Sequence, residues 1–140
     1  MLFSNILVPY DGSELASKAL DKAIEIAKLD KSSKVTVLHV LAIQTTTVHA
    51  SLYNQLIKNK LDIAKASAGS VKVKLAEIPN PSEVMIREGS PSSVILQLSK
   101  ELNCDLIIMG SRGLSGIKEF LGSVSHSITQ QSSIPVLLMK

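Results

Sequence analysis

The chain is poor in the residues that would commit it to several common functions. Of its 140 residues one is cysteine, none is tryptophan, and tyrosine and phenylalanine occur twice each. The lone cysteine, Cys104, excludes an internal disulfide framework and suits a reducing compartment. Its ordinary role is that of a small apolar side chain beside a strand. Scarce aromatics leave the core to Ile, Leu, Val and Ala. They also remove the stacking platforms on which single-stranded nucleic acid is usually held. No apolar run reaches the length of a bilayer span. The opening residues, Met1-Leu-Phe-Ser-Asn-Ile-Leu-Val8, carry no basic stretch ahead of a long apolar one, so no secretory leader is expected and the cytoplasm is the expected location. No pair of histidines or cysteines stands at metal-ligand spacing, so a dedicated metal site is not expected. A Mg²⁺ arriving with a nucleotide is a separate matter.

What is present is aliphatic and evenly spread. Hydrophobic residues make up 45% and charged residues 19%, the balance of a folded domain, and the length suits one such domain over residues 1–140. The net charge of +3 comes from scattered Lys and Arg, so nucleic acid is only weakly signalled as a partner.

Asn5-Ile-Leu-Val8 is a short apolar run closed by Pro9, as in a strand buried on both faces. Pro9-Tyr10-Asp11-Gly12-Ser13 is turn chemistry, with Ser13 placed as a helix N-cap. Ala16, Ala19, Leu20, Ala23, Ile24 and Ala27 then recur at helical spacing over residues 14–28. Lys34 to Val40 reads as a second strand, parallel to the first because a helix joins them. Residues 41–50 show no period and read as a loop. Ile57, Leu61, Ala64, Ala68, Val71, Leu75 and Ile78 are spaced 4, 3, 4, 3, 4, 3. Val71-Lys-Val-Lys-Leu75 also alternates like a strand, but seven helical matches outweigh three. The spacing predicts one helix over about 51–77, closed by Pro79-Asn-Pro81. Gly69 inside it costs about 1 kcal/mol relative to Ala. Ser82 to Arg87 is a third strand. Ser90 and Pro91 suit the N-cap and first position of a helix to about 101. Asp105 to Met109 is a fourth strand, residues 118–131 a last helix, and Pro135 to Met139 a fifth strand. The alternation predicts an α/β fold: a single doubly wound, Rossmann-like domain around a five-stranded parallel sheet.

In such sheets a ligand sits beyond the carboxyl ends of the strands, where the strand order reverses. If the first and fourth strands are inner neighbours, the loop Pro9 to Ser13 meets the loop Gly110 to Ser123. Asp11 in the first loop can accept hydrogen bonds from ribose hydroxyls, or cap the first helix. The second loop carries Gly110, Gly113 and Gly116 and closes at Gly122-Ser123, where a helix begins. Glycines and a helix start cradle phosphate through free N–H groups. Arg112 within it either reaches a phosphate or is solvated. There is no Gly-Lys-Ser/Thr of a P-loop, no G-x-G-x-x-G after the first strand and no G-x-S-x-G elbow. His39 reads as a hydrogen-bonded core histidine, His126 as solvent-facing, and His49 lies in the unpatterned loop.

Ile6-Leu-Val-Pro-Tyr-Asp-Gly-Ser13, Leu38-His-Val40, and Ile107-Ile-Met-Gly-Ser-Arg-Gly-Leu-Ser-Gly116 with Gly122-Ser-Val124 together resemble the universal stress protein family, in order and across essentially the whole chain. The resemblance implies a sheet ordered 3-2-1-4-5, a homodimer, and, in the branch with G-x2-G-x9-G-[ST], ATP binding. Carried over by position, Asp11 and Gly110 would meet the ribose, and the backbone of Val40 would meet adenine. Gly113, Gly122, Ser123 and Val124 would hold the phosphates. Pro9, Tyr10 and Met109 would line the pocket. Eight residues, not nine, separate Gly113 from Gly122. A residue lost from the loop leaves the cradle closed. One lost from a helical turn rotates the remainder of that helix by about 100° and re-aims Ser123.

Three functions are expected on this basis. The first is a stress-response regulatory protein that binds ATP, with or without Mg²⁺, at the switch point between strands one and four. The second is a dimeric interaction module of the same fold without a ligand, which the shortened loop favours. The third is a slow adenine-nucleotide hydrolase; no placed base or nucleophile supports an efficient enzyme. The last strand, Val136, Leu137, Leu138 and Met139, is apolar throughout and is expected to pair two copies at the sheet edge.

Overall fold

In the computed structural model, which describes residues 2–42, 50–113 and 122–140, strands and helices alternate along the chain. They are β1 (Asn5–Pro9), α1 (Glu14–Ala27), β2 (Lys34–Leu41), α2 (Ala50–Leu75), β3 (Ser82–Glu88), α3 (Pro91–Glu101), β4 (Leu106–Gly110), α4 (Ser123–Gln131) and β5 (Val136–Met139). All pairings are parallel, in the order β3-β2-β1-β4-β5. This is the doubly wound α/β fold with the order 3-2-1-4-5.

The central strands are continuous apolar runs because both of their faces are covered. Ile6 and Val8 of β1 pack with α1 and the end of α2, while Leu7 between them packs with α3 and α4. All three have no exposed surface. Ala19, Ala23 and Ala27 are likewise fully buried, and their small side chains let α1 lie close on the sheet. The ambiguous stretch at the end of α2 is helical. A strand would have buried Val71, Val73 and Leu75 on one face, but Val73 is 71% exposed while Val71 and Leu75 join the core.

Several boundaries differ from the sequence reading, among them the end of β2 and the start of α4. Leu41 belongs to β2 rather than to the loop after it, pairing in register with Glu88 of β3; residues 43–49 of that loop lie outside the described residues. The last helix begins at Ser123, not 118. Gly122 is its N-cap in an extended conformation (φ −64°, ψ 157°), its N–H drawn to the carbonyl of Ser111. Residues 118–121 lie outside the described residues.

Polar side chains fix the amino-terminal end of the sheet, away from the carboxyl ends. The Asp105 carboxylate accepts from the Ser4 and Asn5 amides at 2.7 and 3.0 Å and from the Ser4 hydroxyl at 2.8 Å. Buried Asn80 places its Nδ2 within 2.9 Å of the carbonyls of Ala27, Asp30 and Ser33, clasping the α1–β2 connection. Among the described residues no helix is long and apolar enough to cross a membrane.

Candidate functional site

β1 and β4 are hydrogen-bonded neighbours, with Ile6 opposite Leu106 and Leu7 opposite Ile107. β1 feeds α1 on one face of the sheet and β4 leads to α4 on the other, so their carboxyl ends diverge and leave a crevice. A cleft of about 570 Å³ opens there, within the range usual for small-molecule sites.

The β1–α1 turn brings Pro9, Tyr10 and Asp11 to the cleft, and the end of β2 brings Val40. The end of β4 brings Met109, Gly110, Arg112 and Gly113, and the start of α4 brings Gly122, Ser123 and Val124. All eleven residues singled out in the sequence therefore stand around one opening. The structure adds residues that the sequence reading missed. Leu38 and Ala42 flank Val40 at spacing two, so the strand period could have found them. Pro91 and Ile95, one turn apart on α3, line it as well, as does Ser125 of α4. Pro91 and Ile95 carry no local signal; only the strand order places α3 over the same face as Val40.

Asp11 is exposed at the rim. Its Oδ1 accepts the Ser13 amide at 2.9 Å, a turn that Gly12 permits with φ +83°. Ser13, not Asp11, caps α1, its hydroxyl accepting the Ala16 amide at 3.1 Å. The other carboxylate oxygen lies over the second loop: a Cβ on Gly113 would sit 2.8 Å from Oδ2. The two loops thus meet at a carboxylate held against a glycine. Gly110 has a packing reason of its own, since a Cβ there would meet Leu15 Cβ at 2.8 Å. The Tyr10 amide is spent on the Leu38 carbonyl at 2.8 Å, and its hydroxyl lies 3.3 Å from Ser17 Oγ.

The ends of the shortened loop come together. The Gly122 amide donates to the Ser111 carbonyl at 2.8 Å, and a Cβ on Gly122 would lie 3.2 Å from Arg112 Cα and 3.6 Å from the Gly113 nitrogen. Residues 114–121, with Gly116 among them, lie outside the described residues. The first intrahelical bond runs from the His126 amide to the Gly122 carbonyl, so the amides of Ser123, Val124 and Ser125 precede it and carry the positive end of the helix dipole.

Among the described lining residues, Asp11 is the one carboxylate and Arg112 the one cation. His39 does not line the cleft. It is half-buried, and among the described residues its buried Nδ1 has no hydrogen-bond partner, which corrects the expectation of a fully hydrogen-bonded core histidine. Burial holds its pKa below the ordinary value, with the Asp11 charge pulling the other way. His126 is exposed on α4, and His49 lies outside the described residues. Burial, with the Asp105 charge adding to it, pushes the Cys104 thiol up to about 11. Among the described residues no three His, Cys, Asp or Glu side chains gather as metal ligands.

Comparison with known proteins matches residues 2–140 to the universal stress protein family. The universal stress protein YxiE of Bacillus subtilis is 35% identical over 153 aligned residues, which cover 99% of this chain and all of that protein. A universal stress protein of Methanocaldococcus jannaschii is 31% identical, covering 100% of this chain and 96% of its own. The solved structure of that protein superposes with a TM-score of 0.92, over 100% of this chain and 97% of the other. A universal stress protein family member from Arabidopsis thaliana, solved with AMP bound, shares the fold at 22% identity and a TM-score of 0.74, over 98% of this chain and 91% of that one.

Proposed function

Because the chain belongs to the universal stress protein family, we propose that it is a stress-response regulatory protein that binds ATP in the cleft between β1 and β4. One observation carries the reading: the Asp11 carboxylate lies against Gly113, in the cleft that Ser123 and Val124 at the start of α4 also line. That puts a hydroxyl acceptor and a helix start suited to an anion around one cleft, the two kinds of group a nucleoside phosphate needs. The side of the cleft formed by Leu38, Val40, Ala42, Pro91, Ile95 and Met109 is apolar and suits a base. In this reading adenine lies along it against the Val40 backbone, and Asp11 takes the ribose beside Gly110. The phosphates run over Gly113 and Gly122 to Ser123, Val124 and Arg112. The Gly122 amide is occupied by Ser111, so Ser123 and Val124 supply the donors. The AMP held by the Arabidopsis thaliana protein of the same fold accords with this reading.

Asp11 is the one carboxylate that a Mg²⁺ arriving with ATP would find among the described lining residues, and it suits such an ion as a single ligand among phosphates and water. In this reading the cleft holds the nucleotide rather than turning it over rapidly. β5 is an edge strand: Val136 and Leu138 pack on the α3–α4 side while Leu137 is 38% exposed. We place a homodimer contact along Val136–Met139, in the cytoplasm. The alternative of an interaction module without ligand draws on α2, where Leu52, Leu56 and Ile63 stand exposed.

The test is to denature the purified protein, identify what is released, and titrate the emptied protein and its Asp11→Ala variant with ATP. Recovery of an adenine nucleotide, with affinity lost in Asp11→Ala, supports the reading. An Asp11→Ala variant that binds ATP as the wild type does contradicts the placement.

A further inference from the structure

We propose that Ser125 is a positioning residue for the phosphate end of the cleft: its buried hydroxyl holds the first turn of α4 against the end of β4 and so sets where the Ser123 and Val124 amides lie. The inference rests on the ATP reading above.

Ser125 is 2% exposed although it sits in the first turn of a helix. Its Oγ lies 2.7 Å from the Ser111 carbonyl and 3.0 Å from the Gly122 carbonyl. A hydroxyl has one proton, and the shorter distance gives it to Ser111. The same carbonyl accepts the Gly122 amide at 2.8 Å, so both of its lone pairs are used and two bonds, side by side, tie α4 to β4. The acceptor is itself fixed. Ser111 is 5% exposed, and its amide donates to the Met139 carbonyl at 2.9 Å, extending the β4–β5 pairing. A helix start held by one bond can pivot about it; a second bond, from a side chain three residues further on, restricts that pivot. The amides of Ser123 and Val124 are one and two residues before the hydroxyl, so a pivot displaces them directly. The base and ribose contacts come from β1, β2 and β4 and do not depend on this tie.

The experiment compares wild type, Ser125→Ala and Ser125→Thr in titrations with ATP and with adenosine, and tracks amide hydrogen exchange in the ligand-free proteins. Losing one net hydrogen bond predicts that Ser125→Ala binds ATP about two- to tenfold more weakly and adenosine unchanged. Ser125→Thr, which keeps the hydroxyl, recovers the ATP affinity. Without ligand, the Gly122 amide exchanges faster in Ser125→Ala, while the Tyr10 amide, bonded to Leu38 in the other loop, keeps its rate. The inference is overturned if Ser125→Ala binds ATP like wild type, if it loses ATP and adenosine equally, or if Ser125→Thr behaves like Ser125→Ala. A wild type that binds no ATP overturns the parent reading and this role together. Unchanged exchange at Gly122 in Ser125→Ala overturns the tie alone.

Discussion

Replacing Gly113 with alanine tests the junction of the two loops with the smallest available change. The added Cβ would stand 2.8 Å from Asp11 Oδ2, against about 3.4 Å for ordinary contact, so the carboxylate must withdraw by about 0.6 Å. It is the tip of an exposed side chain, so it can do so. The withdrawal stretches the 2.9 Å bond from the Ser13 amide to Oδ1 without breaking it, so the fold loses only part of that bond's contribution. A ligand held by that carboxylate loses more. A hydrogen bond to a charged group contributes about 1.5–3 kcal/mol, which is about 10- to 150-fold in affinity. Calorimetric titration with adenosine and with ATP should show both weakened by that factor in Gly113→Ala. In an Asp11→Ala background the same substitution should add nothing, because the group it displaces is gone. Unchanged binding in Gly113→Ala, or effects that simply add in the double variant, would refute the reasoning. Loss for ATP alone would show that Gly113 acts through the phosphates that run over it in the proposed placement and not through Asp11.

The packing carries three further expectations. Gly69 lies within α2, exposed, with nothing within 4 Å of where a Cβ would be; Gly69→Ala should stabilise the fold by about 1 kcal/mol in chemical denaturation. The Asp105 carboxylate is partly buried, which opposes its charge, but the Ser4 and Asn5 bonds outweigh burial and hold its pKa below the ordinary value. A depressed folded pKa stabilises above the unfolded pKa and is lost as pH falls through the folded one. Asp105→Asn should therefore cost about 1.5 kcal/mol at pH 7, with the gap to wild type closing below about pH 4; a gap independent of pH contradicts the assignment. Leu137→Lys places a charge on the exposed face of the edge strand and should shift a dimer to monomer in analytical ultracentrifugation, and a variant that stays dimeric removes β5 from the interface.

Periodicity made most of the fold legible because it reports which face of an element is buried. The alanine stripe of α1 and the apolar runs of β1 and β4 are local signals, and the seven-residue stripe of α2 was enough to override the alternation at Val71–Leu75. The exposure of Val73 shows why: only the helical period keeps that side chain out of the core. Gathering the eleven cleft residues needed one further step, the strand order. What stayed hidden is non-local and polar. Asn80 looked like part of a helix stop, and its clasp on Ala27, Asp30 and Ser33 depends on residues 47 to 53 positions away. The orphaned Nδ1 of His39 is a property of its neighbours. Ser125 carries no local signal for its role; its acceptor, the Ser111 carbonyl, lies 14 residues away in the sequence. The start of α4 was placed too early because no apolar period marks the residue at which Gly122 ceases to be loop.

The most direct test of the nucleotide site is a pair of calorimetric titrations of nucleotide-free protein, one with ATP and one with AMP. Both should bind, and ATP more tightly, since in the proposed placement only its outer phosphates would reach the amides of Ser123 and Val124. Absence of ATP binding at millimolar concentration would contradict the nucleotide site itself, and equal affinity for ATP and AMP would contradict the phosphate cradle at the start of α4.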